Sequence, residues 1–455
     1  MTEVVSGKRV LVFGLGVSGR WAAAWLASLG ASVHVSDHRG RSELDNNWCS
    51  ELEDLEITIE TGNHTVGQVE KADLIVISPG IPTDLPVLDH ARSLGIPVVG
   101  EMELASRFIH SPVIAVTGTN GKSTVTSLIG AVLMEAGLDV FVGGNLGMPL
   151  SALAASGARP DWAVLEVSSF QLDSVETFRP QVSVILNITP DHLDRYPDYQ
   201  AYARSKMRIY ARQTKGQCLV VNDDDPISAR AVPPGGVKVF RYGFDEKPGR
   251  QAFVKDKVIV VNLQDGSPPA TVSVAGAGLT GRHNVENIMA CALVGRILGV
   301  EAEVMQRAVD RFRGLPHRME LVAEHMGVSF YDDSKATNVA AAAAAVSGMD
   351  CPVVLIAGGR HKGADYRALV DAAREKVKEA VFIGEAAGLL AEAFEGEIPF
   401  EIAAGMQDAV MKAVAVAAPG DAVLLAPACS SFDMFTDYGH RGRVFAGTVE
   451  RMIRG

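Results

Sequence analysis

A short glycine-bounded loop followed by Lys-Ser-Thr, TGTNGKST at 117–124, is the strongest chemical signal in the sequence. Apolar residues precede it and recur at helical spacing after it, which predicts a strand, a loop and a helix. The amides of such a loop favour an anion, Lys122 can reach the outer phosphates of a nucleotide, and a hydroxyl of Ser123 or Thr124 can bind Mg²⁺. The general pattern places glycine six residues before the lysine, whereas this chain has Val116 there. The loop therefore predicts a nucleoside triphosphate site of a particular P-loop subset.

Two candidate metal ligands follow apolar segments downstream of this loop. Glu166 comes after the run 162–165, and His192 lies beyond the run 182–186. Open α/β sheets bind ligands at the carboxyl ends of strands, which favours Mg²⁺ or substrate contacts for both side chains. Each has a plainer alternative, since Glu166 could cap the next turn and His192 could begin a helix. Lys206 lies on a tyrosine-rich helix, where a solvated charge is the ordinary role of lysine.

A second glycine pattern lies near the start of the chain. Gly14-x-Gly16-x-x-Gly19 follows an apolar strand, and Asp37 ends the next strand about twenty residues on, as in dinucleotide-binding folds. A lone glycine fingerprint is a weak signal. It predicts a site for some phosphate, with NAD as one candidate.

Cationic side chains stand in predicted loops of the C-terminal third. Lys335 in DDSKATN and Lys362 in GGRHKGAD follow predicted strands and lie near glycines or hydroxyl residues, which favours anion contacts for both. Ser431 precedes an apparent helix, where serine is expected as an N-cap whatever the function. Taken singly, each cation could be an ordinary surface charge.

These residues require alternating strands and helices to position them. The pattern predicts an α/β protein of three domains: an N-terminal Rossmann-like domain at 1–101, a central P-loop ATPase-like domain with a mostly parallel sheet at 102–314, and a C-terminal Rossmann-like domain at 315–455. A strand-rich insertion at about 218–274 is interpreted as scaffold, and a Gly and a Pro mark the second boundary.

Composition limits the partners. The chain has 455 residues and a formal net charge of −12, which argues against a protein that grips nucleic acid. It has no apolar run of about 18 residues and no signal-peptide layout, and its five cysteines lack metal-ligand spacing. We therefore expect a cytoplasmic protein with reduced thiols that binds neither nucleic acid nor membrane. Nothing in the sequence demands more than a monomer.

Together these residues resemble the Mur ligase family, ATP-dependent amide-forming enzymes of peptidoglycan synthesis, over nearly the whole chain. The matching segments are TGTNGKST at 117–124, LEVSSFQL at 165–172, NITPDHLDRY at 187–196, RHNVEN at 282–287, HRME at 317–320, DDSKATN at 332–338 and GGRHKGAD at 358–365. Within the family, GLGVSG at 14–19, SPGIP at 78–82 and LAPACSSFDMF at 425–435 are similar to the branch that adds D-glutamate. The DNPR motif of the branches that add diaminopimelate or lysine is not found in the sequence.

The resemblance implies one reaction. ATP phosphorylates the alanyl carboxylate of UDP-N-acetylmuramoyl-L-alanine, the amine of D-glutamate attacks the acyl phosphate, and a tetrahedral intermediate loses phosphate. The implied cofactors are ATP and two Mg²⁺ ions, which together with lysines would neutralise charge on the transferred phosphoryl group.

The resemblance also assigns roles by position. The catalytic residues it implies are Lys122, Asn145, His192, Lys206 and Lys362. The ATP-binding residues are Gly118, Thr119, Asn120, Gly121, Lys122, Ser123, Thr124, Asn284, Asn287, His317, Arg318 and Asp333. The substrate-binding residues are Val17, Ser18, Asp37, His38, Arg39 and Ser78 for the UDP moiety, with Lys335, Thr337, Lys362, Ser431 and Phe432 for D-glutamate and the reacting phosphate. The metal-binding residues are Ser123, Glu166, His192 and Lys206, the last as a carbamate that supports the second ion. Carbamylation requires a neutral amine, so a lowered pKa of Lys206 is implied.

Three other classes stay open on the sequence alone. A folylpolyglutamate synthetase would share the P-loop but lack the N-terminal uridine-nucleotide module. An NAD-dependent oxidoreductase would use the first glycine pattern and leave the P-loop unexplained. A P-loop switch protein would hydrolyse its nucleotide slowly, with no stimulation by an amino acid.

Overall fold

Three sheets flanked by helices follow one another along the chain in the computed structural model, which describes residues 5–193, 195–275 and 281–454. The first sheet consists of β1 (Arg9–Phe13), β2 (Ser32–Asp37), β3 (Thr58–Thr61), β4 (Leu74–Ile77) and β5 (Val98–Gly100). Its helices are α1 (Val17–Ser28), α2 (Asn46–Glu53), α3 (Val66–Val69), α4 (Pro86–Ser93) and α5 (Glu101–Ser106). The strand order is β3-β2-β1-β4-β5, and each pairing is parallel.

The second sheet carries the P-loop. Its strands are β6 (Val113–Thr117), β7 (Val140–Gly144), β8 (Trp162–Glu166), β9 (Val182–Ile185), β10 (Cys218–Asn222), β11 (Lys238–Tyr242), β12 (Ala252–Lys255), β13 (Val258–Val261) and β14 (Ala270–Ser273). Its helices are α6 (Lys122–Glu135), α7 (Leu150–Ser156), α8 (Ser169–Asp173), α9 (Tyr199–Met207), α10 (Arg282–Ile297) and α11 (Ala302–Arg311). The order is β14-β13-β12-β11-β10-β9-β6-β8-β7, with antiparallel pairing only where β12, β13 and β14 extend one edge.

The third sheet has the order β15-β16-β20-β17-β18-β19. Its strands are β15 (Glu320–His325), β16 (Val328–Asp332), β17 (Val353–Gly358), β18 (Val377–Ile383), β19 (Phe400–Ile402) and β20 (Ala422–Leu425), and its helices are α12 (Val339–Ser347), α13 (Arg367–Ala373), α14 (Ala387–Phe394), α15 (Met406–Val416) and α16 (Tyr438–Arg454). The sequence pattern indicated β16, β17, β18 and β20 but not the edge strands β15 and β19. Of the pairings in this sheet, only that of β15 with β16 is antiparallel.

The central strands form because their side chains are apolar on both faces. The strand that leads into the P-loop, VIAVT, is buried at every position, and so is LIVI in β4. Strands of this kind suit parallel sheets that helices cover on both sides. The predicted three-domain α/β class, with mostly parallel sheets, is confirmed.

The first two sheets share apolar packing that the third does not join. One continuous cluster of buried side chains includes Trp25 and Leu26 of α1 together with Leu150 and Leu153 of α7. The clusters around the third sheet contain only residues from Met319 onward among those that the structure describes. The first two sheets therefore form one packed body, and the third packs around a core of its own.

This topology brings the predicted site residues to the carboxyl ends of the strands. In the second sheet β6 lies between β8 and β9, so the loops after these strands meet. In the third sheet β16, β20 and β17 are neighbours, and the loops after them carry Lys335, Ser431 and Lys362. Such edges are the ligand-binding edges of open α/β sheets. None of the described helices is long and apolar enough to cross a membrane.

Candidate active site

The P-loop takes a conformation that requires its glycines. Gly121 precedes α6 with a φ of +83°, and a Cβ there would lie 2.4 Å from Oδ1 of Asn287 on α10. Gly118 also has a positive φ, of +155°. The Lys122 ammonium group donates to the carbonyl oxygen of Thr119 at 2.7 Å, and the amide of Asn120 donates to Oδ1 of Asn187 at 2.9 Å. These two hydrogen bonds fix the conformation of the loop, and α10 packs directly against Gly121.

Ser123, Glu166 and Asn145 form one hydrogen-bonded group beside the loop. The Ser123 hydroxyl donates to Oε2 of Glu166 at 2.5 Å, and Nδ2 of Asn145 donates to Oε1 at 2.6 Å. Arg318, from the C-terminal third, donates to the same hydroxyl at 2.7 Å. Burial opposes ionisation of Glu166, but Lys122 and the two hydrogen bonds outweigh it and hold the pKa of the carboxyl below its usual value. A hydroxyl beside an ionised carboxylate is a donor set that fits Mg²⁺.

Lys206 points into the protein beneath the P-loop. The residue is 2 % exposed, and its Nζ donates to the carbonyl oxygen of Gly118 at 2.8 Å and lies 4.7 Å from the ring centroid of Tyr202. Burial, reinforced by the charge of Lys122, lowers the pKa of Lys206 well below its usual value. The lowered pKa favours the neutral amine that carbamate formation requires, and the buried side chain is not the solvated charge expected from the helix pattern alone.

His192 lies in a tight turn near the same helix. Its φ of 55° is unusual for a residue other than glycine, and its ring packs edge-on against Phe170 at a centroid distance of 4.9 Å. Burial lowers the pKa of His192 to about 4, although Asp191 opposes the shift. The imidazole is thus neutral at pH 7, as a metal ligand must be.

A narrow cleft between the second and third sheets gathers the predicted nucleotide residues. Its lining includes Asn120, Gly121, Thr124, Asn284, Asn287, Arg318, Asp333 and Lys335. Burial raises the pKa of Asp333 to about 7, against the charge of Arg318, and burial with the charge of Arg318 lowers the pKa of Lys335 to about 7. His317 does not line the cleft, because its Nδ1 is hydrogen-bonded to Oδ2 of Asp332 at 2.7 Å.

The predicted amino-acid residues divide into two groups. Thr337 and Lys362 line a small cavity with Asp191, and Nζ of Lys362 lies 3.5 Å from Oδ1 of that carboxylate. Ser431 is 2 % exposed and Phe432 is 62 % exposed, and neither residue lines either cavity. The structure therefore brings Thr337 and Lys362 together and leaves Phe432 outside.

The predicted UDP residues lie at the carboxyl edge of the first sheet. Asp37 accepts hydrogen bonds from the Leu15 amide at 2.6 Å and from Nε of Arg39 at 2.9 Å. Burial would raise the pKa of Asp37, but these bonds lower it to about 2. The Ser78 hydroxyl donates to the carbonyl oxygen of Gly14 at 2.9 Å. Asp37 and Ser78 thus make internal bonds that shape the turn.

The other predicted UDP residues keep exposed or half-buried surface. Val17 is 45 % exposed, the His38 side chain 69 % and the Arg39 side chain 36 %, and Ser18 is half-buried. A Cβ at Gly19 would lie 1.8 Å from the carbonyl oxygen of Gly14. The third glycine of the pattern is therefore required for helix α1 to pack against the turn.

Sequence reasoning gave no role to three residues that the structure places in the site. Asp191 is 8 % exposed and contacts both His192 and Lys362. Asn338 links the third sheet to the second through hydrogen bonds described below. The ring of Tyr438 lies 3.7 Å from Nζ of Lys335, measured to the centroid. Of these three residues, only Asp191 could have been predicted from the sequence, because it lies beside His192 after a strand.

Comparisons with known proteins identify the family to which the chain belongs. Three family models match: Mur ligase MurD-like, N-terminal domain, at residues 8–100; Mur ligase middle domain, at 116–295; and Mur ligase, glutamate ligase domain, at 317–429. The chain is 44 % identical over 447 residues to the UDP-N-acetylmuramoylalanine--D-glutamate ligase of Acidobacterium capsulatum, covering 98 % of this chain and 96 % of that protein. It is also 44 % identical over 450 residues to the protein of the same name from Desulfosudis oleivorans, covering 98 % and 97 %.

Solved structures show the same fold at much lower identity. A pseudomurein peptide ligase type C from Methanothermus fervidus superposes with a TM-score of 0.62 at 21 % identity, covering 98 % of this chain and 100 % of that one. A UDP-N-acetylmuramate-alanine ligase from Thermotoga maritima gives 0.62 at 16 % identity with the same coverage. The family models and the full-length relatives show that the chain belongs to the Mur ligase family of ATP-dependent amide-forming ligases.

Proposed function

We propose that this protein adds D-glutamate to UDP-N-acetylmuramoyl-L-alanine with ATP as the energy source, a step of peptidoglycan precursor synthesis. The relatives that match it along their whole length carry the name of that ligase. One observation supports the proposal above all. The Ser123–Glu166 pair and the buried amine of Lys206 both lie at the same P-loop. A nucleotide-binding protein that does not activate a carboxylate does not require the buried amine of Lys206.

The chemistry assigns a task to each group around the loop. Lys122 and the loop amides bind the phosphates of ATP, and Arg318, Asn284 and Asn287 line the cleft for the rest of the nucleotide. Asn145, which donates a hydrogen bond to Glu166, would lie close to the transferred phosphoryl group and the substrate. Lys335 and Lys362 face the loop from the third sheet and stabilise the negative charge that develops during phosphoryl transfer and amide formation.

The donor atoms support two metal positions. Ser123 and Glu166 would hold one Mg²⁺ ion, and His192 with a carbamylated Lys206 would hold a second. Bound there, the ions would neutralise charge on the transferred phosphoryl group. The neutral imidazole and the lowered pKa of Lys206 are what these roles require.

We take 1–101, 102–314 and 315–455 as the domain limits, supported by the three sheets, which occupy 9–100, 113–273 and 320–425. We propose that the UDP moiety binds over Val17, Ser18, His38 and Arg39, that Thr337, Ser431 and Phe432 serve D-glutamate, and that Asp37 and Ser78 hold the uridine-binding turn. We further propose that His317 supports the nucleotide site through Asp332 and that the enzyme works as a cytoplasmic monomer.

Phosphate release measured with ATP, UDP-N-acetylmuramoyl-L-alanine and a panel of amino acids tests the function. We expect release that depends on D-glutamate among the amino acids and on both other substrates. Stimulation by a different amino acid would overturn the substrate assignment. Slow release unaffected by any amino acid would overturn the ligase assignment and favour a P-loop switch.

A thermal-shift comparison tests the N-terminal site separately. The full-length protein should be stabilised by a UDP-sugar and not by NADH, because the chain belongs to the Mur ligase family and matches its MurD-like N-terminal domain. Stabilisation by NADH alone would contradict the uridine-nucleotide assignment.

A further inference from the structure

Asn338 begins helix α12 and is buried, with 7 % of its surface exposed. Its Oδ1 accepts a hydrogen bond from the amide of Ala341 at 2.8 Å, which is the ordinary N-cap bond of a helix. A backbone amide only donates, so this bond fixes which end of the side-chain amide is oxygen. The Nδ2 group must therefore point away from α12.

Nδ2 of Asn338 points at the second sheet and contacts two of its loops. It donates to Oδ2 of Asp191 at 3.2 Å and to Oδ1 of Asn120 in the P-loop at 3.2 Å. Both acceptors belong to the packed body of the first two sheets, whereas Asn338 belongs to the third. One side chain thus caps a helix of the C-terminal third and bridges to the nucleotide loop.

Asp191 receives a second contact from the same third of the chain. Nζ of Lys362 lies 3.5 Å from Oδ1, on the other oxygen of the carboxylate. Asn338 also follows Thr337 directly and lies three residues after Lys335, which faces the nucleotide cleft. A shift of Asn338 relative to Asp191 would therefore move the residues proposed to meet the amino acid and the reacting phosphate.

We propose that Asn338 is a positioning residue that holds the C-terminal loops in register with the P-loop when the cleft is closed. This inference rests on the proposed ligase function for its kinetic readout. Hydrogen bonds to charged groups contribute about 1.5–3 kcal/mol, so losing the bridge should reduce kcat/KM about 10- to 100-fold. A residue that only capped α12 would act on stability and leave the kinetics unchanged.

Three substitutions separate the bridge from the cap. Asn338→Ser and Asn338→Asp both keep a side-chain oxygen that caps well, whereas Asn338→Ala loses the cap. Serine is too short to reach Asp191, and aspartate places a carboxylate against Asp191 and the Asn120 oxygen. We expect a near wild-type melting temperature for Asn338→Ser together with a kcat/KM about 10-fold lower or more, and a larger loss of kcat/KM for Asn338→Asp.

A double-mutant cycle completes the test. Combined with Asn120→Ala, the Asn338→Ser change should cost less than it does in the wild type, because the hydrogen bond to the P-loop is already gone and only the bond to Asp191 remains to be lost. Wild-type kinetics in both Asn338→Ser and Asn338→Asp, or additive effects in the cycle, would overturn the proposal. If wild-type phosphate release did not depend on D-glutamate, the proposed function would fail alone, and the same variants would decide the bridge by their thermal shift with ATP.

Discussion

The side-chain amine of Lys206 donates a 2.8 Å hydrogen bond to the carbonyl oxygen of Gly118, the first glycine of the P-loop. Helix α9 therefore supports the nucleotide loop from below with a buried amine. Burial lowers the pKa of Lys206, which favours the neutral amine that reacts with carbon dioxide to give a carbamate.

The first prediction concerns this amine. Lys206→Ala should reduce turnover to a small fraction of the wild-type rate, because the proposed carbamate and its support of the second metal ion would be lost. Short-chain carboxylic acids that mimic a carbamate should restore part of the rate, measured as D-glutamate-dependent phosphate release. Gln200→Ala, an exposed change on the same helix, serves as the control and should leave the rate unchanged. Full activity in Lys206→Ala would rule out the carbamate.

The second prediction concerns the Glu166 carboxylate. Glu166→Gln keeps a side chain that can bond to Ser123 and Asn145 but removes the charge beside the proposed metal position. The Mg²⁺ concentration for half-maximal turnover should rise about 10- to 100-fold. The exposed change Glu246→Gln is the matched control. An unchanged Mg²⁺ requirement in Glu166→Gln would show that this carboxylate is structural.

The third prediction concerns the ring over Lys335. Tyr438→Phe keeps an aromatic face at 3.7 Å from the amine, and Tyr438→Leu removes it. A cation–π contact contributes about 0.5–2 kcal/mol, so the leucine variant should raise the KM for D-glutamate about 2- to 30-fold while the phenylalanine variant stays close to wild type. The backbone carbonyl of Tyr438, which accepts a hydrogen bond from Ser334 at 2.8 Å, is retained in both. Equal effects of the two changes would indicate a role for the hydroxyl instead.

The fourth prediction concerns pH and stability. Burial, helped by Asp224 and Asp225, raises the pKa of Glu286 to about 7 from an unfolded value of 4.5. Between these values the folded state binds more protons than the unfolded state, so the free energy of unfolding falls as pH rises. Glu286→Gln should therefore be more stable than the wild type at pH 8, by about 1–3 kcal/mol, and the difference should shrink towards pH 5.

Denaturant unfolding at several pH values measures that difference. Glu246→Gln, on an exposed side chain, should show no comparable trend. A constant difference between Glu286→Gln and the wild type across this range would mean that Glu286 ionises as an ordinary carboxyl.

Local pattern was enough to predict the parts of the site that follow strands. The P-loop, Glu166 and His192 each come after a buried apolar run, and parallel pairing then places them at one edge. The sequence pattern predicts strands at 9–13 and 74–77, and the structure has β1 and β4 at those residues. The sequence pattern did not predict edge strands such as β15, because a partly exposed strand lacks a continuous apolar run.

Contacts between loops that are far apart along the chain could not be predicted from the sequence. In the structure Asn338 caps α12, but the two hydrogen bonds of its Nδ2 group depend on how two sheets meet. Likewise, the aromatic residue beside Ser431 in the sequence is Phe432, whereas the ring beside Lys335 is that of Tyr438 at the start of α16. The burial of Lys206 depends on what covers α9, which periodicity within the helix does not reveal.

The separate core of the third sheet has a consequence for how tightly its contacts must bind. Helix α11 ends at Arg311 and β15 begins at Glu320, so residues 312–319 tether the C-terminal third to the rest. A flexible tether of that length spans about 16 Å on average, which keeps the C-terminal loops at a millimolar or higher effective concentration over the nucleotide. Closure is then an intramolecular event that a few weak hydrogen bonds suffice to favour. We propose that the same weakness allows the cleft to open for product release.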